Sequence, residues 1–362
     1  MKKLVIILPI FCLLFCSEPR RGADWPTFRG NYHRTGYSPD AGPSDNPEII
    51  WQIDFQDQAL SSPIIAGGRM YLGYHKGMIS VDPYSGKIRW EFSTEKKVFS
   101  TPTYYGGDIV FGSWDKYVYR LKGKNGDKVW ATEFPAVVDC SPVIVEDGIF
   151  AGDFTGFFTT LNFNNGNVGR IFTTGDWLVG SAAFDGETFY FGSRNSKFYA
   201  LNKVNFNPEW EFDAGGDISC TPAIDTSRVY FGSNNMKFYC LDRRTGEQIW
   251  EFDTGGAMFS SPAIHNEKVF FGSTDSTIYC LFQNTGEEIW RYRTGGIVYS
   301  SAAVCGNRVY IGCHDGYLYA LDTETGGPVW REFLGAPITS SPAIYDNMLI
   351  VANDNGVVFA FR

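Results

Sequence analysis

A tryptophan returns about every 40 residues through most of this chain, and no other feature limits its fold so strongly. Trp51, Trp90, Trp130, Trp210, Trp250, Trp290 and Trp330 keep the register, and Arg170 takes the one remaining slot; the first spacing is 39 and the rest are 40. Other marks recur in step. Triplets of the Ser-Ser-Pro kind open at Ser61, Ser100, Cys140, Gly180, Cys220, Ser260, Ser300 and Ser340. A glycine ends an apolar run at Gly73, Gly112, Gly152, Gly192, Gly232, Gly272 and Gly312, with Ala352 in the eighth copy.

A regular copy, such as residues 260–292, reads as four short strands separated by Gly, Asn and Asp turns. Four strands per unit of this length is the pattern of a β-propeller blade. The 40 glycines and the 17% aromatic content agree with strands and tight turns rather than helices. Eight registers predict an all-β, eight-bladed propeller of four-stranded antiparallel blades. The last unit, from Ser340 to Arg362, has only three strands, whereas a lone strand around Trp51 precedes the first unit. The N-terminal strand is therefore expected to complete the C-terminal blade and close the ring, leaving no open sheet edge at the seam. Residues 46–362 read as one domain.

The N-terminus reads as an export signal. Lys2 and Lys3 precede a run from Leu4 to Phe15 that is too short to span a bilayer but suits a signal-peptide core. Residues 1–15 are the expected signal, and residues 16–45 a lipid-anchor linker and leader. Leu13-Leu14-Phe15-Cys16 resembles a bacterial lipobox, which would make Cys16 the lipidated N-terminus; Phe15 stands where such boxes carry a small residue. A conventional signal cleaved nearby is the alternative. The net charge of −9 argues against nucleic-acid binding. Attachment to a membrane would depend on the lipid.

The turns that precede the tryptophans identify a family. Ala320-Leu321-Asp322-Thr323-Glu324-Thr325-Gly326-Gly327-Pro328-Val329-Trp330, and the matching Cys240 to Trp250, closely resemble the tryptophan-docking motif of pyrroloquinoline-quinone (PQQ)-type propellers. In those proteins the outer-strand Trp packs on the neighbouring blade and its turn glycine. The leader Asp24-Trp25-Pro26-Thr27-Phe28-Arg29-Gly30-Asn31 also resembles a segment that precedes such propellers. Copy four departs, with Phe206 at the glycine and Arg170 ending the unit before it.

The resemblance raises a quinone-dependent dehydrogenase as one reading. The chain has no adjacent cysteine pair, however, and the even spacing leaves no long loop to build a lid. No cofactor and no metal are expected. His33, His75, His265 and His314 show no metal-ligand spacing, and Asn353-Asp354-Asn355-Gly356 reads as a hairpin turn. Most cysteines occupy small-residue slots and read as packed thiols.

What remains is a surface. Loops joining successive blades share a face with the turns between second and third strands. That face gathers Lys96, Lys97, Phe99, Asp139, Trp177, Phe259 and Tyr299 with Trp114, Arg194, Asn234, His314 and Asp315. Of these, Phe99, Trp114, Asp139, Trp177, Arg194, Phe259, Tyr299 and His314 form the candidate partner-binding face; filling of the central channel is the alternative role. A lipid-anchored propeller without insertions resembles the BamB-like family of outer-membrane assembly lipoproteins. The resemblance implies a monomeric, non-enzymatic scaffold facing the periplasm and binding protein partners of the barrel-assembly complex. A surface-exposed lipoprotein that binds carbohydrate or a host ligand is the alternative.

Overall fold

The computed structural model describes residues 23–56 and 61–362; the signal segment and Cys16 lie outside the described residues. Eight four-stranded antiparallel sheets form the blades of a propeller, as the repeat predicts. Blade 6 is representative: Ala263–His265 lies innermost, followed by Lys268–Ser273, Thr277–Phe282 and the outer strand Glu288–Arg293. In blade 8 the outer strand is Ile49–Asp54, paired with Val357–Phe361 so that Trp51 lies opposite Ala360. The ring therefore closes between the two ends of the chain, as expected.

Each outer strand carries a bulge just before its tryptophan, or in blade 3 beside Arg170. In blade 6, Cys280 pairs with Trp290 and Leu281 with Glu288, so Ile289 is the extra residue. A bulge re-aims the side chain beside it, and here the indole turns towards the next blade. Trp250 Nε1 donates to the carbonyl of Gln283 at 3.0 Å, and Trp290 Nε1 to that of Thr323 at 3.1 Å. The ring lies on a turn glycine at positive φ: a Cβ on Gly286 (φ +73) would stand 2.6 Å from the Trp250 indole. Only glycine supplies both that backbone and that space.

Two blades break the pattern in different ways. Among the described residues Trp330 Nε1 has no hydrogen-bond partner. Its neighbour, blade 8, is built from both ends of the chain and has no turn between its third and outer strands to present a carbonyl. Between blades 3 and 4, the two partners exchange size. Arg170 donates to the carbonyl of Val204, and Phe206 takes the glycine's place at φ 60 with its ring buried against Phe150 and Phe158. The bulk that the tryptophan supplies elsewhere comes here from the opposite side of the joint.

A second set of bonds locks the blades around the channel. The first residue of each triplet, Gly180 apart, ties inner to second strand: Ser260 Oγ accepts the Gly272 N–H at 3.0 Å and donates to the Ser300 carbonyl of the next blade at 2.9 Å. Cys140 and Cys220 take this slot with sulfur, accepting from Gly152 and Gly232. Burial pushes both thiols up to about 12, and the six described cysteines are all free and buried. The second residue completes a ring of hydroxyls: the backbone N–H groups of Ser141, Ser181, Thr221, Ser261 and Ser301 each donate to the equivalent hydroxyl one blade on.

From Ala23 onward the leader is built into the base of the propeller. It passes the ends of the inner strands in blade order. Trp25 bonds to Ile65 in both directions in blade 1, and Pro26 accepts from Tyr104 in blade 2. Tyr32, His33, Thr35 and Gly36 accept from Phe184, Ile224, Ile264 and Val304 in blades 4 to 7. Asp40 Oδ2 takes the Asp346 N–H in blade 8 and the Ala23 N–H, which brings the circuit back to its start.

Three outcomes follow for stability. Trp250→Phe removes an indole bond that Trp330 never makes, so urea unfolding should show it losing about 1 kcal/mol more than Trp330→Phe. Arg170→Trp should destabilise by itself, because its indole meets Phe206, and combining it with Phe206→Gly should recover most of the loss; additive effects in the double-mutant cycle would refute the exchange of bulk. Acid should loosen the base. Burial, with repulsion from Arg243 set against attraction from Asp185, holds His33 below the ordinary 6.5; burial and Lys268 do the same for His265, whose ring stacks on Tyr37 of the leader at 4.1 Å. Both stay neutral in the fold where the unfolded chain takes up protons, so this stability is complete above pH 6.5 and is lost as pH falls below it. Protection of the Ile224 and Ile264 amides from hydrogen exchange should drop between pH 7.5 and 5, and less so in His33→Gln and His265→Gln.

Candidate functional site

Among the described residues, the end of the channel opposite the leader is open. It forms a cavity of about 200 Å³ whose floor includes Phe28 and whose wall is the hydroxyl ring. Phe99, Asp139, Phe259 and Tyr299 line its mouth, and Asp139 is the one charged residue among the lining side chains. The remaining residues of the candidate face, Trp114, Trp177, Arg194 and His314, sit on a collar around that mouth.

Backbone bonds place the collar. In blades 2 to 8 the first residue of the turn between second and third strands donates its N–H to the loop entering that blade. Trp114 N–H bonds to Lys97 O, Phe154 to Val137, Arg194 to Trp177 and His314 to Ile297, at 3.0 Å each. Every such bond sets a turn side chain beside a loop side chain, and neighbouring pairs then touch across the joints between blades.

In blades 2 to 4 these contacts join into one ladder. Phe99 meets Trp114 edge-on with ring centres 5.3 Å apart; Trp114 meets Phe154 at 6.2 Å; Phe154 stacks flat on Trp177 at 4.5 Å. Cations cap the ladder. Lys97 Nζ lies 3.9 Å from the Trp114 ring centre, and the Arg194 guanidinium lies 4.7 Å from that of Trp177 while pairing with Asp217 at 3.1 Å. Trp177 remains 42% exposed. Trp114 Nε1 donates to Asp139 Oδ1 at 2.8 Å, which ties the ladder to the channel mouth. Burial raises the Asp139 carboxyl above its ordinary range, with the Trp114 bond and Lys97 opposing.

A second, shorter group spans blades 6 to 8. Phe259, 36% exposed, meets Tyr299 at 5.1 Å, and Tyr299 meets His314 at 4.7 Å. His314 Nε2 lies 3.0 Å from Thr339 Oγ1, which donates to Asp354 Oδ2 at 2.8 Å. The threonine's only proton goes to the carboxylate, so it can only accept from the imidazole. The proton order is the reverse of what a hydroxyl nucleophile needs.

The eight candidate residues thus fall into two groups on one face, four of them at the channel mouth. Sequence reasoning missed Phe154, the rung that joins Trp114 to Trp177. Its signal was its register: it occupies the same turn position as Trp114, Arg194 and His314.

Comparisons with known proteins fit this architecture. The family model described as outer membrane protein assembly factor BamB matches residues 45–173, 169–292 and 274–362. The outer membrane protein assembly factor BamB of Moranella endobia is 25% identical over 169 residues, covering 42% of this chain and 42% of that protein. The alignment thus spans under half of that relative's length. Among solved structures, BamB from Moraxella catarrhalis superimposes with a TM-score of 0.76 at 19% identity, covering 88% of this chain and 98% of that one. The quinohemoprotein alcohol dehydrogenase from Comamonas testosteroni gives 0.81 at 13% identity, covering 94% and 80%; at such identities the likeness is one of fold. With nearly the whole propeller matched by the family model, the chain belongs to the PQQ-like, BamB-type propeller family.

Proposed function

We propose that this protein is a non-enzymatic exported lipoprotein, anchored through Cys16 at the outer membrane and facing the periplasm, whose propeller serves as a scaffold in β-barrel assembly. The observation that carries this reading is the ladder Phe99–Trp114–Phe154–Trp177 with its cationic ends. A row of half-buried aromatics ending in an exposed tryptophan and an arginine, pre-positioned by backbone bonds, suits protein recognition, because little side-chain freedom is left to lose on docking. Membership of the BamB-type family makes the barrel-assembly complex the partner to test first.

The competing readings meet specific obstacles. Carbohydrate recognition favours an open aromatic face, yet Phe154 and Arg194 flank the Trp177 ring. The dehydrogenase reading implies a triacidic quinone with calcium. The channel lining does not suit that group: it offers hydroxyls already engaged between blades and a single carboxyl, with no cation to receive three carboxylates. No step is derived through it.

The test is photo-crosslinking from position 154 in intact cells, followed by purification and identification of the captured protein. The central barrel protein of the assembly machinery should be recovered. Trp114→Ala and Trp177→Ala should each weaken binding by about 2 kcal/mol, roughly thirtyfold. Capture of no assembly component, with the propeller intact, would overturn the reading.

A further inference from the structure

Two arginines of the leader carry buried charge that the fold does not account for. Arg29 is 1% exposed and Arg34 is fully buried. Arg29 Nη2 donates to the Pro262 carbonyl in blade 6 at 3.0 Å. Arg34 donates through Nε to the Ala182 carbonyl in blade 4 at 3.0 Å, and through Nη1 to the Thr27 hydroxyl and the Phe28 carbonyl at 2.8 and 2.6 Å. Every one of these acceptors is neutral.

Clamping the leader to blades 4 and 6 explains the bonds that are made. It does not explain the donors left over. Arg29 Nε, Arg29 Nη1 and Arg34 Nη2 are buried with no partner, and among the described residues no carboxylate pairs with either guanidinium. Burial lowers both groups, Arg29 to about 9 and Arg34 to about 10, and the nearness of Arg34 lowers Arg29 further. Both still carry a charge at neutral pH. Carbonyls and hydroxyls satisfy donors, but they do not cancel two like charges away from water.

The local chain holds the pair together. Gly36 N–H returns to the Arg29 carbonyl at 3.1 Å, and Arg34 N–H bonds to that of Asn31 at 3.1 Å. Asn31 also grips Thr35 through its side-chain amide at 2.6 Å. Gly36 has φ +64, and a Cβ there would stand 2.0 Å from Arg29 Nη2, so the guanidinium occupies the space a side chain at 36 would need. Phe28, beside Arg29 in the chain, lines the channel floor.

We infer that Arg29 and Arg34 together bind one small oxyanion, of the sulfate, phosphate or carboxylate class, in the base of the propeller beneath the channel. Planar guanidinium forks match the oxygens of such an anion, and the three leftover donors are the groups that would hold it. The site lies apart from the aromatic ladder and does not rest on the proposed scaffold role.

Sodium selenate is a direct probe. Crystals of the full chain grown in selenate should show an anomalous selenium peak within hydrogen-bonding reach of both guanidinium groups. In solution, replacing chloride by sulfate at constant ionic strength should raise the melting temperature with the logarithm of sulfate concentration once above the dissociation constant, by about 2 °C per tenfold rise. Arg29→Gln should keep only the general salt effect. No peak between the two arginines would overturn the site, as would identical sulfate curves for the wild type and Arg29→Gln. The crystal measurement uses the unmodified protein, so it decides the matter even where the variant fails to fold.

Discussion

Neighbouring blades are held by an indole lying on a glycine, and the rest of the ring depends on that contact. A four-stranded sheet with an inner strand of two or three residues cannot bury its own faces. Stability must come from the joints. The bulge before each tryptophan turns the ring outwards, the glycine admits it, and the N–H finds a carbonyl 33 residues further along the chain. The joint between blades 3 and 4 shows what is conserved when both partners change: Phe206 supplies the volume and Arg170 the donor. The requirement is on filling and bonding, and tryptophan with glycine is one way to meet it.

The architecture was legible in the sequence because every blade solves the same problem with the same residues. Spacing alone gave the blade count, and the missing fourth strand after Ser340 gave the closure. The leader was another matter. Its circuit of the base uses mainly backbone groups, bonded to inner strands far along the chain, and such bonds leave no periodic mark. Arg29 and Arg34 sit in a polar stretch that reads as solvated; only the fold reveals that they are buried.

The candidate face was legible in part, for a related reason. Loop residues such as Phe99, Phe259 and Tyr299 stand one place before the repeated triplet, so the register announces them. The turn position differs in kind from blade to blade: Trp114, Phe154, Arg194, Asn234, Thr274, His314 and Asp354. Structure does not demand one residue type there, and no repeated letter draws attention to Phe154. Which turn residues touch depends on the angle between blades, and that angle is set by the tryptophan joints.

The two ends of the channel therefore have different uses. The leader makes the base a continuous hydrogen-bonded layer, bonded to the inner strands of seven blades and to Asp346 of the eighth's turn. Among the described residues the opposite end has no such cover. There the eightfold repeat gives each turn the same backbone anchor while leaving its side chain free, and the side chains have diverged into an aromatic arc over blades 2 to 4 and a polar group over blades 6 to 8. The rings of the arc bridge neighbouring blades yet leave Trp177 exposed, at a cost in apolar surface. A partner that covers the arc would remove that cost, and the asymmetry of the arc would fix the orientation in which the partner docks.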